Sequence, residues 1–485
     1  MTPYKQLPQI IITGLFLATL ALAIIVQPSY SPVPHLGIYD SKRAVLIILQ
    51  TLAVFYLIIN CFYGKSSGAW RIKTTHLYWL ASVLLFILIS TIASSSVNNA
   101  LIEILNIAGL ALIAYCIADI SSKFPAVRLT QSLVIVFSIS IGIYLFVFLV
   151  GYFAAINTQS SIEKFVLLHG FSNYRFFNQA QAWIIPILAI PLITNVFTTQ
   201  KHRYYWVFWS LLCLNVTLLV FFSARGTSLS LLISTVIILM ATKDIAKPLI
   251  LRLTILIAVA LAIYWLLFVT IPGLTGFSIT DTVNIRVSSS GRWELWLICL
   301  DIIKNNPLFG IGPMGLAGVS NSLSISHPHN SVLQLAAEWG IPATGIIVFC
   351  YFYMLMTIWR SSQDKSVSQE RRVYRLSLTW ALLSGSIYSL FSGVIVMPMS
   401  QLLGVTIIGL IISECFPKVQ VSHTSNRKVI NNAAVITFTS LFLISYLSLV
   451  WPQFTERMKG TQSYTQNLVN IGPRYWQEGG LKANN

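Results

Sequence analysis

Apolar runs long enough to cross a lipid bilayer recur along almost the whole chain. In hydrocarbon every backbone N–H and C=O must be satisfied internally, so such a chain is restricted to helices or a closed barrel. The runs suit helices, which need about 17 to 25 apolar residues each. They lie near 9–27, 44–62, 77–93, 100–119, 132–154, 182–197, 205–222, 227–241 and 248–270, then near 341–358, 374–394, 401–415 and 431–451. The expected fold is an all-α polytopic membrane protein of about 12–13 transmembrane helices. With 56% of its residues hydrophobic and only 9% charged, the chain is not a soluble domain. The first run, Pro8 to Val26, lacks the small-residue cleavage site of a signal peptide and reads as a retained helix.

The formal charge of +17 comes without a basic block or a basic-aromatic surface motif, so nucleic acid is not an expected partner. The positive charge falls instead in alternate loops. Lys65, Arg71 and Lys73, then Lys123 and Arg128, Lys201 and Arg203, and Lys243, Lys247 and Arg252 define one side of the membrane. Arg360, Lys365, Arg371, Arg372 and Arg375, followed by Lys418, Arg427 and Lys428, continue the series. Short cytoplasmic loops accumulate Lys and Arg, which puts this side and the N-terminus inside. Lys164, Arg175, Arg225, Arg286, Arg292 and Lys304 break the bias by lying outside. No ionisable residue falls near the middle of a span and no internal repeat is visible, which disfavours a coupled carrier.

This pattern divides the chain into an N-terminal transmembrane bundle (1–270), a polar external loop (271–340), C-terminal helices (341–451) and a polar tail (452–485) placed outside. Within the loop, Ser288-Ser289-Ser290-Gly291 offers caps for a helix from Arg292, which Asn305-Asn306-Pro307 ends. Trp293, Trp296, Leu297, Leu300 and Ile303 recur at helical spacing, as in a helix lying at the membrane interface. Ser326-His327-Pro328-His329-Asn330 is expected to open a second short helix reaching Glu338, with Pro328 in its first turn. A histidine at that helix start would be kept neutral, as a general base requires. Arg225, beside the helix opening at Gly226-Thr227-Ser228, offers a phosphate cradle of guanidinium and backbone N–H groups. The six cysteines are scattered, and His327 and His329 have no third ligand near them in sequence, so neither a metal nor a cofactor is expected.

Gly-Arg-Trp-x-x-Trp from Gly291, Asn-Pro-Leu-x-Gly-x-Gly from Asn306, and His-x-His-Asn followed by Leu-x-x-x-Glu-x-Gly share this one loop. Together they resemble the O-antigen ligase/polymerase superfamily, which includes the related pilin O-oligosaccharyltransferases. Ser223-Ala224-Arg225-Gly226 and Asn173 to Gln179 are similar to further segments of that family. The resemblance implies a GT-C-type glycosyltransferase of the bacterial inner membrane, multi-pass, with its site on the periplasmic side. Its donor would be a glycan on undecaprenyl pyrophosphate, and its acceptor lipid A–core, a pilin or a growing polymer. A flippase of the same lipid-linked glycan is the rival from another class. Carried onto this chain, the resemblance makes His329 the base and gives Arg292 and Arg225 the charge on the departing pyrophosphate. Arg175, His327, Asn330, Glu338 and Gly291 become substrate-binding candidates.

Overall fold

The computed structural model describes residues 7–31, 33, 36–63, 69–70, 74–158, 162–164, 166–190, 202–280, 291–319, 326–416, 418–419, 425–459 and 474–476. The apolar runs become α1 (Leu7–Val26), α2 (Ile38–Tyr63), α3 (Thr74–Ile92), α4 (Val97–Ser121), α5 (Ala126–Thr158) and α6 (Tyr174–Leu188). They continue as α7 (His202–Phe221), α8 (Arg225–Ala241) and α9 (Lys243–Trp265), which runs through a π-helical turn (Leu266–Thr270) into α10 (Ile271–Thr275). The polar loop holds α11 (Arg292–Asn305), α12 (Gly315–Gly318) and α13 (Ser331–Trp339). Last come α14 (Ile341–Ser362), α15 (Gln369–Ser389), α16 (Pro398–Cys415) and α17 (Ser425–Met458).

Among the described residues, eight helical stretches are long and apolar enough to cross a membrane, and α3, α7 and α8 contain shorter apolar helices. The protein is an all-helical polytopic membrane protein. Several boundaries differ from those expected. The run expected to end at 270 continues to Thr275, because the π turn lets the helix carry on; Tyr152 donates its hydroxyl to the Leu267 carbonyl within that turn. The last helix reaches Met458 rather than 451. The span expected at 182–197 starts earlier, at Tyr174, where the Asn173 side chain caps the Arg175 N–H at 2.9 Å; positions 191–197 lie outside the described residues. So do Arg286 and the expected cap residues Ser288–Ser290.

Among the eight stretches able to cross a membrane, α4 and α16 are the most enclosed, and they pack on each other at the centre of the bundle. They approach closely at Gly409, where a Cβ would lie 2.7 Å from the Ala114 carbonyl oxygen. On the other flank of α16, Trp183 of α6 fills the space beside Gly385 of α15 and donates its indole N–H to Ser400 Oγ at 2.9 Å. Beyond this centre, α2 packs on α4 and α17, while α15 bridges α6 and α8.

Segments that the charge pattern puts on one side do meet one another. The two-residue strand β1 (Ala69–Trp70) pairs antiparallel with β4 (Lys418–Val419), joining two loops from the basic side. At that end Arg371 and Arg375 hold Glu414 at 2.5 and 2.7 Å. Strand β2 (Ile162–Glu163) pairs in parallel with β3 (Ile279–Thr280) at the other end, joining two segments assigned outside. The arginines of interest, the polar loop and residues 474–476 belong to this second end.

The close approach at Gly409 sets a test. Gly409→Ala forces a methyl against the rigid backbone of α4 and should cost about 1–3 kcal/mol. Gly14 has no atom within 4 Å of the position a Cβ would take, so Gly14→Ala should be neutral or stabilise by about 0.5–1 kcal/mol through helix propensity. Thermal unfolding of the two variants in detergent checks the contrast: a lower midpoint for the first only.

Candidate active site

Three arginines occupy first turns of three separate helices. Arg175 is the second residue of α6, Arg225 the first of α8 and Arg292 the first of α11. Each helix start contributes the positive end of its dipole in addition to the guanidinium. Neither Ala224, before α8, nor Gly291, before α11, makes a side-chain cap, and helix-start N–H groups of this kind suit an anion, although the first of α8, that of Arg225, donates to the Ser223 carbonyl at 2.8 Å. The backbone is turned sharply just ahead of both arginines: Gly291 has φ 73° and Ser223 φ 51°. Gly291 is thus a conformational requirement, since a Cβ is disfavoured in the left-handed region.

His329 completes the group. Its φ is 56°, and it is one of only three non-glycine residues with positive φ among those described. Such a conformation costs about 1–2 kcal/mol and concentrates at functional sites. The second short helix opens later than expected. Its cap is Asn330, whose side-chain oxygen accepts from the N–H groups of Val332 and Leu333 at 3.0 Å each, so Pro328 and His329 lie before the helix rather than in its first turn. The physical reason is the superior capping geometry of the Asn carboxamide, which places Asn330 in a scaffold role.

Electrostatics shows that these groups converge. Burial, then Arg292 and Arg175, push the His329 imidazole from its usual 6.5 down to about 3. Burial, together with Arg175 and Arg225, likewise lowers the Arg292 pKa, against an opposing contribution from the Tyr388 phenol. Among the described residues, none of the three arginines pairs with a carboxylate. Arg292 thus lies within electrostatic reach of both Arg175 and Arg225, and with no acidic partner among the described residues the three have the charge that a polyanion would need. His329 is half-buried and meets the His327 ring edge-on at 4.5 Å between centroids.

The other expected residues have different surroundings. His327 is buried, its Nε2 against Gly393, where a Cβ would come within 2.4 Å, and its Nδ1 3.4 Å from Ser326 Oγ. Glu338 is fully enclosed: one carboxylate oxygen receives Arg474 at 2.5 Å and the other the Leu316 N–H at 3.2 Å, so both are engaged within the protein. The glycine motif is structural. Ile311 and Gly312 donate backbone N–H groups to the carbonyls of Ala337 and Glu338 at 2.9 Å, and Ile341 donates to Pro307 at 2.8 Å. Gly310 and Gly340, both at positive φ, let the two strands of chain touch without side chains between them. Helix α11 packs through Leu295 and Cys299, while Trp293, Leu297 and Leu300 are exposed as an interfacial face would be. Trp296 does not join that face, since its indole N–H donates to the Pro328 carbonyl at 2.9 Å and so braces the turn before His329.

Residues 187–350 match the family model described as O-antigen ligase. The match supports the O-antigen ligase-like superfamily, whose members are membrane glycosyltransferase-like enzymes. It takes in Arg225, Arg292, His327, His329 and Glu338. A comparison with curated proteins gave no match.

Two features of this arrangement escape the sequence reading. Tyr388, at the end of α15, lays its ring 2.7 Å from where a Gly226 Cβ would be, which explains the glycine after Arg225, and its phenol acts on Arg292. The polar run Asn178-Gln179-Ala180-Gln181 is buried on α6, with Gln179 donating to Ser392 Oγ at 2.8 Å and the Asn178 carbonyl accepting from Thr227. That run was the available signal, because amides seldom sit in a membrane helix without partners.

His329→Asn separates chemistry from folding, because Asn also enters the left-handed region readily. The melting temperature should be unchanged, while turnover should fall about 10²- to 10⁴-fold, the usual contribution of a general base. The pH dependence follows from the lowered pKa. An imidazole that binds its proton less tightly when folded contributes fully to stability above about pH 6.5, and that contribution is lost as pH falls toward 3. The acid limb of kcat/KM that belongs to His329 in the free enzyme should therefore lie far below 6.5, and should be absent from the Asn variant.

Proposed function

We propose that this protein is an O-antigen ligase-type glycosyltransferase. It moves a glycan from undecaprenyl pyrophosphate to an acceptor hydroxyl of lipid A–core, at the periplasmic face of the bacterial inner membrane. The observation that carries this reading is that Arg292 and Arg175 act on the half-buried imidazole of His329 and Arg225 acts on Arg292, all at the end that the charge pattern assigns outside.

In this mechanism the acceptor oxygen attacks the anomeric carbon from the face opposite the leaving group. The bond from that carbon to the pyrophosphate oxygen breaks, and its electron pair leaves with the pyrophosphate, so the configuration inverts. His329 takes the proton from the attacking hydroxyl. The arginines stabilise charge that grows on the leaving group, an effect strongest where water is excluded. They also impose an order. With the site empty, burial and then the Arg292 and Arg175 guanidiniums make His329 a weak base; a bound pyrophosphate offsets the guanidinium contribution and raises its basicity, so the imidazole gains strength as the donor arrives.

Reconstituted protein supplied with donor and acceptor should form a new glycosidic bond, and failure to form one with authentic substrates would leave a flippase-type movement of the donor as the better reading. Loss of all polymer-bearing lipopolysaccharide on deletion identifies the ligase; single-repeat bands would point to polymerase activity, and a pilin mobility shift to protein glycosylation.

Arg225→Lys and Arg292→Lys should impair transfer nearly as much as Ala, since a Lys keeps the charge but loses the fork that clamps two phosphate oxygens. Single-turnover rates and donor affinity measured on both substitutions check this, and full activity in both Lys variants would overturn the clamp.

A further inference from the structure

The residues 474–476 enter the heart of the external end of the bundle, although they come from a tail that sequence alone marks only as polar. Arg474, Tyr475 and Trp476 are all buried, and the guanidinium of Arg474 reaches the segment that carries His329 at three points. Nη1 donates to the carbonyl of Ser326 at 3.2 Å. Nη2 meets Glu338 at 2.5 Å, and Glu103 of α4 lies 3.7 Å away. Between these, the side-chain oxygen of Gln334, with its amide oriented toward the guanidinium, accepts from Nη1 and Nη2 at 3.0 Å each. One planar fork therefore grips the start, middle and end of the stretch from Ser326 to Glu338. His329 lies within that stretch.

The triplet is itself anchored from behind. Tyr39 donates to the Arg474 carbonyl at 2.5 Å, and Arg43 donates to the Tyr475 carbonyl at 2.9 Å, stacks on the Tyr475 ring, and bonds Gln401 of α16 at 2.5 Å. Trp476 donates to Gln453 at 2.7 Å and lies under the Arg457 guanidinium, which in turn holds Asp40 at 2.5 Å. The fixed frame of α2, α16 and α17 is thus connected through three tail residues to the turn that presents His329.

We propose that Arg474 is a positioning residue for transfer: it sets the place of His329 relative to the arginine cluster by clamping residues 326–338 from the tail. This rests on the glycosyltransferase reading for its kinetic consequence but not for its structural one. Lys at this position keeps the charge opposite Glu338, yet a single ammonium cannot bond Ser326, Gln334 and Glu338 in one plane. A misplacement of about 1 Å at a reacting group can cost about 10²-fold in rate.

The test uses the full-length protein in nanodiscs with two variants. The first is Arg474→Lys. The second is the double substitution Arg474→Met with Glu338→Met, because an apolar pair of similar volume replaces a buried ion pair with little loss of stability, whereas removing one partner alone endangers folding. Three quantities are read: thermal midpoint, hydrogen exchange of the 326–338 peptide, and donor affinity set against single-turnover rate. Arg474→Lys is expected to melt near the wild type and the double variant somewhat below it, because the Leu316 N–H and the Ser326 carbonyl lose their partners; both are expected to exchange faster across 326–338 and to turn over about 10- to 100-fold more slowly with donor affinity within about twofold. Unchanged exchange across 326–338 in either variant that folds, or a wild-type single-turnover rate in both, overturns the proposal. Equal loss of rate and donor affinity together with a depressed midpoint also overturns it, by assigning Arg474 a purely structural role. If the wild-type protein forms no glycosidic bond, the functional reading fails on its own, and the exchange measurement still decides whether Arg474 clamps the loop.

Discussion

Glu338 is the point at which the end of the bundle that carries the polar loop is tied together. Its carboxylate binds Arg474 and the Leu316 N–H, and its backbone carbonyl accepts from Gly312 at 2.9 Å and from Ser90 of α3 at 2.8 Å. A transmembrane helix, a glycine turn, a short loop helix and the tail therefore meet at one residue. A carboxylate at such a depth is tolerable only with charge and hydrogen bonds on all sides, and that demand aligns the surrounding chain. The same demand explains the order of the motifs. The glycines of 307–312 let their backbone lie along 337–341.

The arrangement sets a scaffold of compensated charge behind a surface of uncompensated charge. Arg43 and Arg474 are buried and Arg457 is half-buried, and they are engaged by Glu338, Asp40, amides and carbonyls. Arg175, Arg225 and Arg292 stand a short way off at helix starts, with no acidic partner among the described residues. Like charges held together store repulsion, and a fold maintains them only where a stiff frame prevents their separation. The buried network is that frame, and the outward-facing cluster is what it supports.

Much of this could be read from the chain, and the remainder could not for identifiable reasons. The spans were legible because lipid imposes a length and polarity rule, and the pairing of ends because positive charge marks sides; β1 with β4 and β2 with β3 agree with that marking. The helix from Arg292 to Asn305 was legible through its breakers. The role of Glu338 was not, because its partner Arg474 is 136 residues away and no local pattern announces the pair. Nor was the capping role of Asn330 legible, because a capping Asn and a ligand Asn look alike until the backbone around them is known. Lys42 and Arg43, buried at the outer end of α2, escaped notice because two cations beside an apolar run resemble an ordinary span flank.

The placement of Arg474 has a consequence for how the protein comes into being. Translation delivers residues in order, and the arginines, the histidine turn and every membrane helix, the last of which ends at Met458, precede position 474. The grip on the turn closes only after the last of these has crossed or entered the bilayer. A chain still emerging from the ribosome holds its imidazole loosely, and becomes a finished instrument only once the tail has threaded back among helices built long before it.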